Sequence, residues 1–296
     1  MSPSPRSEAE SRMTRSDEIH ELLQLSPDEL LDRAEGHLTV LEDLEALHQH
    51  FAEALAKEIK TNNERGEPTV LILPYGPVAQ YDIFVDLVNE RKINLKNCTF
   101  FFMDEYCDKN GVELSSTHPL SFRGGISDFL SCVDPSLAIP EENVVFPTHE
   151  NLYRLTDMIE DAGGVDTCYG GIGIHGHVAF NEPEPDVRWT DPRLVYLNDF
   201  TVTINAIRAD VGGNLQNFPR KALTLGMNQV MDANQIRLYC RNGEIDLDWA
   251  NTILRLAVLG ESGDDYPVTY VNDHPDWQII TDRETVRSPD HVLGPL

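Results

Sequence analysis

Val165-Asp166-Thr167-Cys168-Tyr169-Gly170-Gly171-Ile172-Gly173-Ile174-His175-Gly176-His177-Val178-Ala179-Phe180-Asn181-Glu182-Pro183 opens as a strand and closes as a polar turn. Glycine tolerates positive φ and lets backbone approach a ligand closely, while histidine and glutamate exchange protons near neutral pH. A strand ending in such a turn is the layout of an active-site edge, because ligands of parallel α/β sheets collect outside the carboxyl ends of strands. A second cluster repeats it: the apolar run Phe100-Phe101-Phe102-Met103 is followed at once by Asp104-Glu105-Tyr106. Each alone is compatible with a capping turn or a solvated loop; the pair points to one crevice.

Working outward, Thr69-Val70-Leu71-Ile72-Leu73-Pro74 is a buried-strand run, and Tyr75-Gly76-Pro77-Val78-Ala79-Gln80 leads from it into a helix carrying Ile83, Phe84, Leu87 and Val88. Further strands are expected at 98–103, 143–146, 167–171, 194–197, 222–225, 236–240, 268–271 and 277–280. Helical segments, among them 152–159 and 249–259, separate most of them. That alternation predicts an α/β fold, a Rossmann-like, mostly parallel sheet with helices on both faces, plus an N-terminal helical extension. Residues 1–16 carry almost nothing apolar and are expected to be disordered. Residues 17–43 read as the extension, with a helix opening at Ser26-Pro27-Asp28-Glu29, where a serine cap precedes proline and two acids. The stripe Leu38, Leu41, Leu44, Leu47, Phe51, Leu55 and Ile59 reads as one long amphipathic helix, and 44–296 as the α/β domain.

The chain has 296 residues and a formal charge of −27, from 23 basic and 50 acidic side chains. Such an excess excludes a nucleic-acid or anionic-membrane partner, since phosphate backbones demand clustered Lys and Arg. An excess this large is also compatible with adaptation to high salt, which composition alone does not establish. Five cysteines, widely spaced and without a CxxC pair, suggest neither a disulfide framework nor a zinc knuckle, which fits a reducing cytoplasm. No apolar run approaches a membrane span, and the N-terminus lacks the apolar core of a signal peptide.

Met103-Asp104-Glu105-Tyr106, the downstream His118-Pro119, Gly176-His177-Val178-Ala179-Phe180-Asn181-Glu182-Pro183, Pro219-Arg220-Lys221-Ala222-Leu223-Thr224-Leu225-Gly226 and His274-Pro275 together resemble the glucosamine-6-phosphate deaminase (isomerase) family, related to the 6-phosphogluconolactonases. The resemblance runs from about Leu44 to Glu284. It implies an aldose-ketose isomerase or deaminase of an amino sugar or sugar phosphate, with no cofactor, and a homo-oligomer. It also implies roles: Asp104 as the proton-transfer base, His177 as the ring-opening group and Glu182 as the group that orients it. Tyr75, Gly76, Glu105, Gly173, Gly176 and Arg208 would line the substrate. Two adjacent acids in a dry crevice drive one pKa upward, which suits a base that must return its proton.

Three departures from the family pattern bear on chemistry. His175 stands where the family has aspartate; a second imidazole repels a charge on His177 and keeps it neutral, unless His175 simply faces solvent. The loop Tyr75-Gly76-Pro77-Val78-Ala79 replaces a hydroxyl-rich phosphate cradle; Pro77 has no N–H and Val78 no hydroxyl. The family's late lysine has no counterpart, Cys240-Arg241-Asn242-Gly243-Glu244-Ile245 occupying its region, and Arg241 is a candidate to substitute for it. Each lost charge-assisted contact costs about 1.5–3 kcal/mol. A lactonase-type hydrolase, a metal-dependent enzyme using His175, His177, Asp104 and Glu182 as ligands, and a non-catalytic sugar-binding homologue are the alternatives.

Overall fold

The computed structural model describes residues 13–76, 78–242 and 249–295. Residues 1–12, Pro77 and the Gly243-Glu244-Ile245 stretch singled out above lie outside them. In chain order come α1 (Arg15–Leu23), α2 (Pro27–Arg33), β1 (Leu38–Leu41), α3 (Leu44–Arg65), β2 (Thr69–Leu73), α4 (Ala79–Arg91), β3 (Cys98–Phe102), β4 (Asp104–Cys107), α5 (Phe122–Leu130), β5 (Val144–Val145), α6 (Leu155–Asp161) and β6 (Thr167–Gly171). Then follow β7 (Arg193–Tyr196), α7 (Asp199–Arg208), β8 (Lys221–Thr224), α8 (Met227–Met231), β9 (Gln235–Tyr239), α9 (Ala250–Leu259) and β10 (Trp277–Asp282).

Among the described residues, seven strands form a parallel sheet in the order β1-β10-β9-β6-β2-β3-β5. Alternation along buried strands feeds two cores. Val70 and Ile72 of β2 enter one, with α6, α8 and α9; Leu71 and Leu73 enter the other, with α3 and α4. Helices therefore cover both faces, as the alternating pattern predicts. From β2 the chain builds outward through β3 to β5, then returns to place β6 on the opposite side of β2. That reversal is a topological switch point, where a crevice opens at the carboxyl ends.

Four expectations need correction. Leu38–Leu41 is not the first turn of the long helix; it is strand β1, paired in parallel with β10 from Leu38↔Ile279 to Leu41↔Asp282. Asp43 interrupts the stripe, its side chain accepting from the Ala46 N–H at 2.8 Å to start α3. Residues 268–271 are not a strand but part of a 3₁₀ segment, Pro267–Asp273. Proline presets the φ of its first residue, and Val268 and Val271, three apart, turn to the same buried side. Arg15 and Ser16 are helical rather than disordered: Thr14 and Asp17 form a reciprocal cap, and the Arg15 guanidinium bonds Asp265 at 2.8 Å. Finally, Asp104-Glu105-Tyr106 is more than the end of the 98–103 strand. Beyond Met103 the chain leaves the main sheet as β4, the first strand of a separate antiparallel sheet ordered β4-β8-β7.

Candidate active site

Four strand ends converge on the switch-point crevice. After β2 come Tyr75 and Gly76; after β3, Met103 and Asp104; after β6, Gly173 and His177; after β9, Arg241. α7 delivers Arg208 at its last turn, and all of these line one cavity of about 840 Å³. Asp104 is held on a strand rather than a loop. Met103 N–H donates to Leu73 O at 2.9 Å, Leu225 N–H to Met103 O at 2.8 Å, and Asp104 faces Thr224 in the ladder.

The His177 turn is shaped by two glycines. Gly173 N–H donates to His177 O at 2.9 Å, and a Cβ on Gly173 would lie 1.9 Å from His177 Nε2, so the ring rests directly on that α-carbon. Gly176 has φ of +66° and its carbonyl accepts from Val268 N–H at 2.7 Å, which ties the turn to the 3₁₀ segment. Downstream, Asn181 Nδ2 donates to the carbonyls of Val178 and Leu225, both at 3.0 Å, and Phe180 N–H to Thr224 Oγ1 at 3.1 Å. The turn is thereby fastened to β8, the strand that faces Asp104.

Burial pushes the Asp104 carboxyl up to about 8, with repulsion from Glu105 adding to it. Burial likewise pulls the His177 imidazole down to about 3, assisted by His175 and Arg208. At neutral pH the acid is thus protonated and the imidazole neutral. Arg208 keeps contact with solvent, yet the surrounding protein and then Arg241 lower it to about 10, and its guanidinium stands 5.4 Å from the Trp249 ring centroid.

Other sequence-derived candidates stand elsewhere. Glu105 does not reach the cavity: it is fully enclosed, its carboxylate accepting from the N–H groups of Tyr106, Phe122 and Arg123 and the hydroxyl of Ser121 at 2.8–3.0 Å. Glu182 is not hydrogen-bonded to His177. Its Oε2 accepts from Asn198 N–H at 2.7 Å, at the start of α7, and burial raises its pKa. His175 lies off the cavity wall, neither in open solvent nor bonded to His177, with its ring edge-on to Phe200 at 5.0 Å. His175 Nε2, His177 Nδ1, Glu182 Oε1 and Thr201 Oγ1 are all buried without hydrogen-bond partners. Three of these atoms stand on the turn after β6 and the fourth on α7, and buried polar atoms without partners call for an explanation, a functional role among them. Among the described residues, no three His, Cys, Asp or Glu side chains are grouped to hold a metal ion, so His175, His177, Asp104 and Glu182 do not form the metal site of the alternative reading.

Three wall residues, His48, Phe122 and Phe218, had no place in the sequence reading of the site. His48 enters from α3, buried, between Leu47 and Phe51 on the stripe assigned wholly to the core. A polar residue inside an apolar stripe is the signal that marks it. Tyr75 stacks on Phe122 at 4.6 Å, Phe122 meets Tyr106 at 4.7 Å, and Tyr106 meets Phe218 at 5.6 Å, so one side of the cavity is a continuous aromatic wall. All five cysteines are free thiols, and among the described residues no helix is long and apolar enough to cross a membrane.

No family model matches the sequence. A glucosamine-6-phosphate deaminase of Aliivibrio salmonicida is 30% identical over 230 residues, covering 75% of this chain and 80% of the relative. One from Caenorhabditis elegans is 30% identical over 207 residues, covering 68% and 74%. One from Thermoanaerobacter pseudethanolicus is 29% identical over 259 residues, covering 84% and 94%. Among solved structures, a monomeric glucosamine-6-phosphate deaminase superposes with a TM-score of 0.71 at 23% identity, over 84% of this chain and 98% of that one. A 6-phosphogluconolactonase from Shewanella baltica gives 0.58 at 15%, over 83% and 97%.

Proposed function

The chain belongs to the glucosamine-6-phosphate deaminase family, and from that premise we propose that it is an aldose-ketose isomerase that deaminates an amino sugar phosphate. The observation that carries this reading is the meeting of Asp104 and His177 in one cavity with the arginines 208 and 241. In it, the ionised fraction of Asp104 takes the proton from C2 of the opened sugar and returns it at C1. A raised carboxyl suits that task, because one group must accept and then release the same proton near neutral pH. The neutral His177 serves as hydrogen-bond acceptor or base at the ring-opening end. Arg208 and Arg241 receive the phosphate in place of the hydroxyls absent from the Tyr75-Gly76 loop.

One assay separates this from its rivals: purified protein is offered glucosamine 6-phosphate, free glucosamine and a phosphorylated sugar lactone. Ammonia and a ketose phosphate released from the first are the expected products. Lactone hydrolysis without ammonia assigns a lactonase, a reading favoured by a neutral imidazole that is better suited to activating water than to donating a proton. Thermal stabilisation by ligand without turnover assigns a binding protein. The homo-oligomer and the cytoplasmic setting belong to the same proposal, and light scattering checks the first.

A further inference from the structure

We propose that Glu105 is a positioning residue for Asp104: an ionised, enclosed carboxylate that locks β4 to the first turn of α5 and sets the field in which Asp104 exchanges its proton. The inference rests on the reading of Asp104 as the base.

The two acids are adjacent in β4 yet face opposite environments. Glu105 Oε1 accepts from Tyr106 N–H at 2.9 Å and Phe122 N–H at 3.0 Å; Oε2 accepts from Arg123 N–H at 2.8 Å and Ser121 Oγ at 2.9 Å. Backbone N–H groups only donate, and each carboxylate oxygen receives at least one. A proton on either oxygen would confront a donor with a donor, so the cage fits the charged form. Phe122 and Arg123 open α5, whose exposed N–H groups and dipole favour the same charge. Burial raises Glu105 on balance, and these four donors hold the rise down by favouring the charged form. The Asp104 carboxyl receives no hydrogen bond from any described residue, and its neighbour's charge adds to its burial. The pair's proton therefore resides on Asp104.

The other groups about the pair do not replace this assignment. Tyr75 and Tyr106 are raised by burial and stay neutral, as does Cys107. The Arg123 guanidinium turns to Glu113 at 3.9 Å. Arg208 and His177 line the same cavity from α7 and the β6 turn, and the influences on Asp104 are its burial and Glu105. The clamp also places Phe122 between Tyr75 and Tyr106, so the same carboxylate holds the aromatic wall.

The test begins with the unmodified protein: carboxyl ¹³C shifts are titrated, with the Asp104 signal assigned from Asp104→Asn. Two separated steps are expected, Glu105 at the lower pH and Asp104 at the higher; the reverse order overturns the proposal. This readout needs no turnover, so a protein inactive on amino sugars sinks the proposed function and leaves the titration decisive. Next, Glu105→Gln keeps one acceptor and removes the charge. The Asp104 step should move toward acid by about one pH unit, about a tenfold change in proton affinity. The acid limb of kcat/KM should move with it. An unmoved Asp104 step in folded Glu105→Gln protein reduces Glu105 to a cap of α5 and refutes its electrostatic role.

Discussion

At the scale of single residues, the site works by desolvation acting in opposite directions on two groups. Asp104 is raised to about 8 and His177 lowered to about 3, both first by burial. An unfolded aspartate titrates near about 3.9. Because folding raises the Asp104 value, its neutral form is stabilising below about pH 4, and that contribution is lost as pH rises through about 8. Asp104→Asn abolishes this dependence. Its melting temperature should gain on the parent from pH 5 to about pH 8 and level off above that, while turnover falls by about 10²–10⁴-fold. A constant stability difference, or retained turnover, removes Asp104 from the mechanism. His175→Asp places a carboxylate where an imidazole now disfavours charge on His177, whose Nδ1 lacks a partner. The His177 titration, followed by ¹H–¹⁵N NMR, should move upward in pH, and an unchanged midpoint would show the two side chains to be independent.

At the scale of elements, short segments aim the chemistry and buried polar caps hold them. The Gly173–His177 turn is the tightest case. Gly173→Ala drives a methyl into the imidazole, so activity should fall about 100-fold, since displacement of a catalytic group by about 1 Å has that effect. The melting temperature should stay within a few degrees; full activity would show that the ring's seat does not matter. α9 supplies a second case. Arg255 is fully buried and donates to the carbonyls of Leu25 at 2.9 Å, Asn251 at 3.0 Å, Arg287 at 3.1 Å and Val286 at 3.2 Å. One guanidinium thus joins the loop after α1, the core helix and the C-terminal segment. Arg255→Leu strips donors from several buried carbonyls and should cost about 3 kcal/mol or more in urea unfolding; a loss below about 1 kcal/mol would mean the helix carries that junction without it.

At the scale of the whole molecule, the net charge of −27 is the dominant field. Mutual repulsion of like charges opposes the compact state, and salt shortens its reach from about 10 Å at 0.1 M to about 3 Å at 1 M. Raising KCl over that interval should lift the melting temperature by at least several degrees. A flat or falling response would show that the acid surface is already neutralised locally. Composition, the strand-and-helix alternation, the Ser26 cap and the two polar strand ends were legible in the chain itself, because each depends on neighbours a few residues away. Tertiary structure alone decided that Leu38–Leu41 is an edge strand and that β4 leaves the main sheet. It also sent Glu182 to the start of α7 and brought His48 into the cavity from a core helix. Above all, it separated Asp104 from Glu105. The two are adjacent and chemically alike in sequence, and only the fold decides which is caged by donors and which is left dry, since burial and hydrogen-bond supply come from residues distant along the chain.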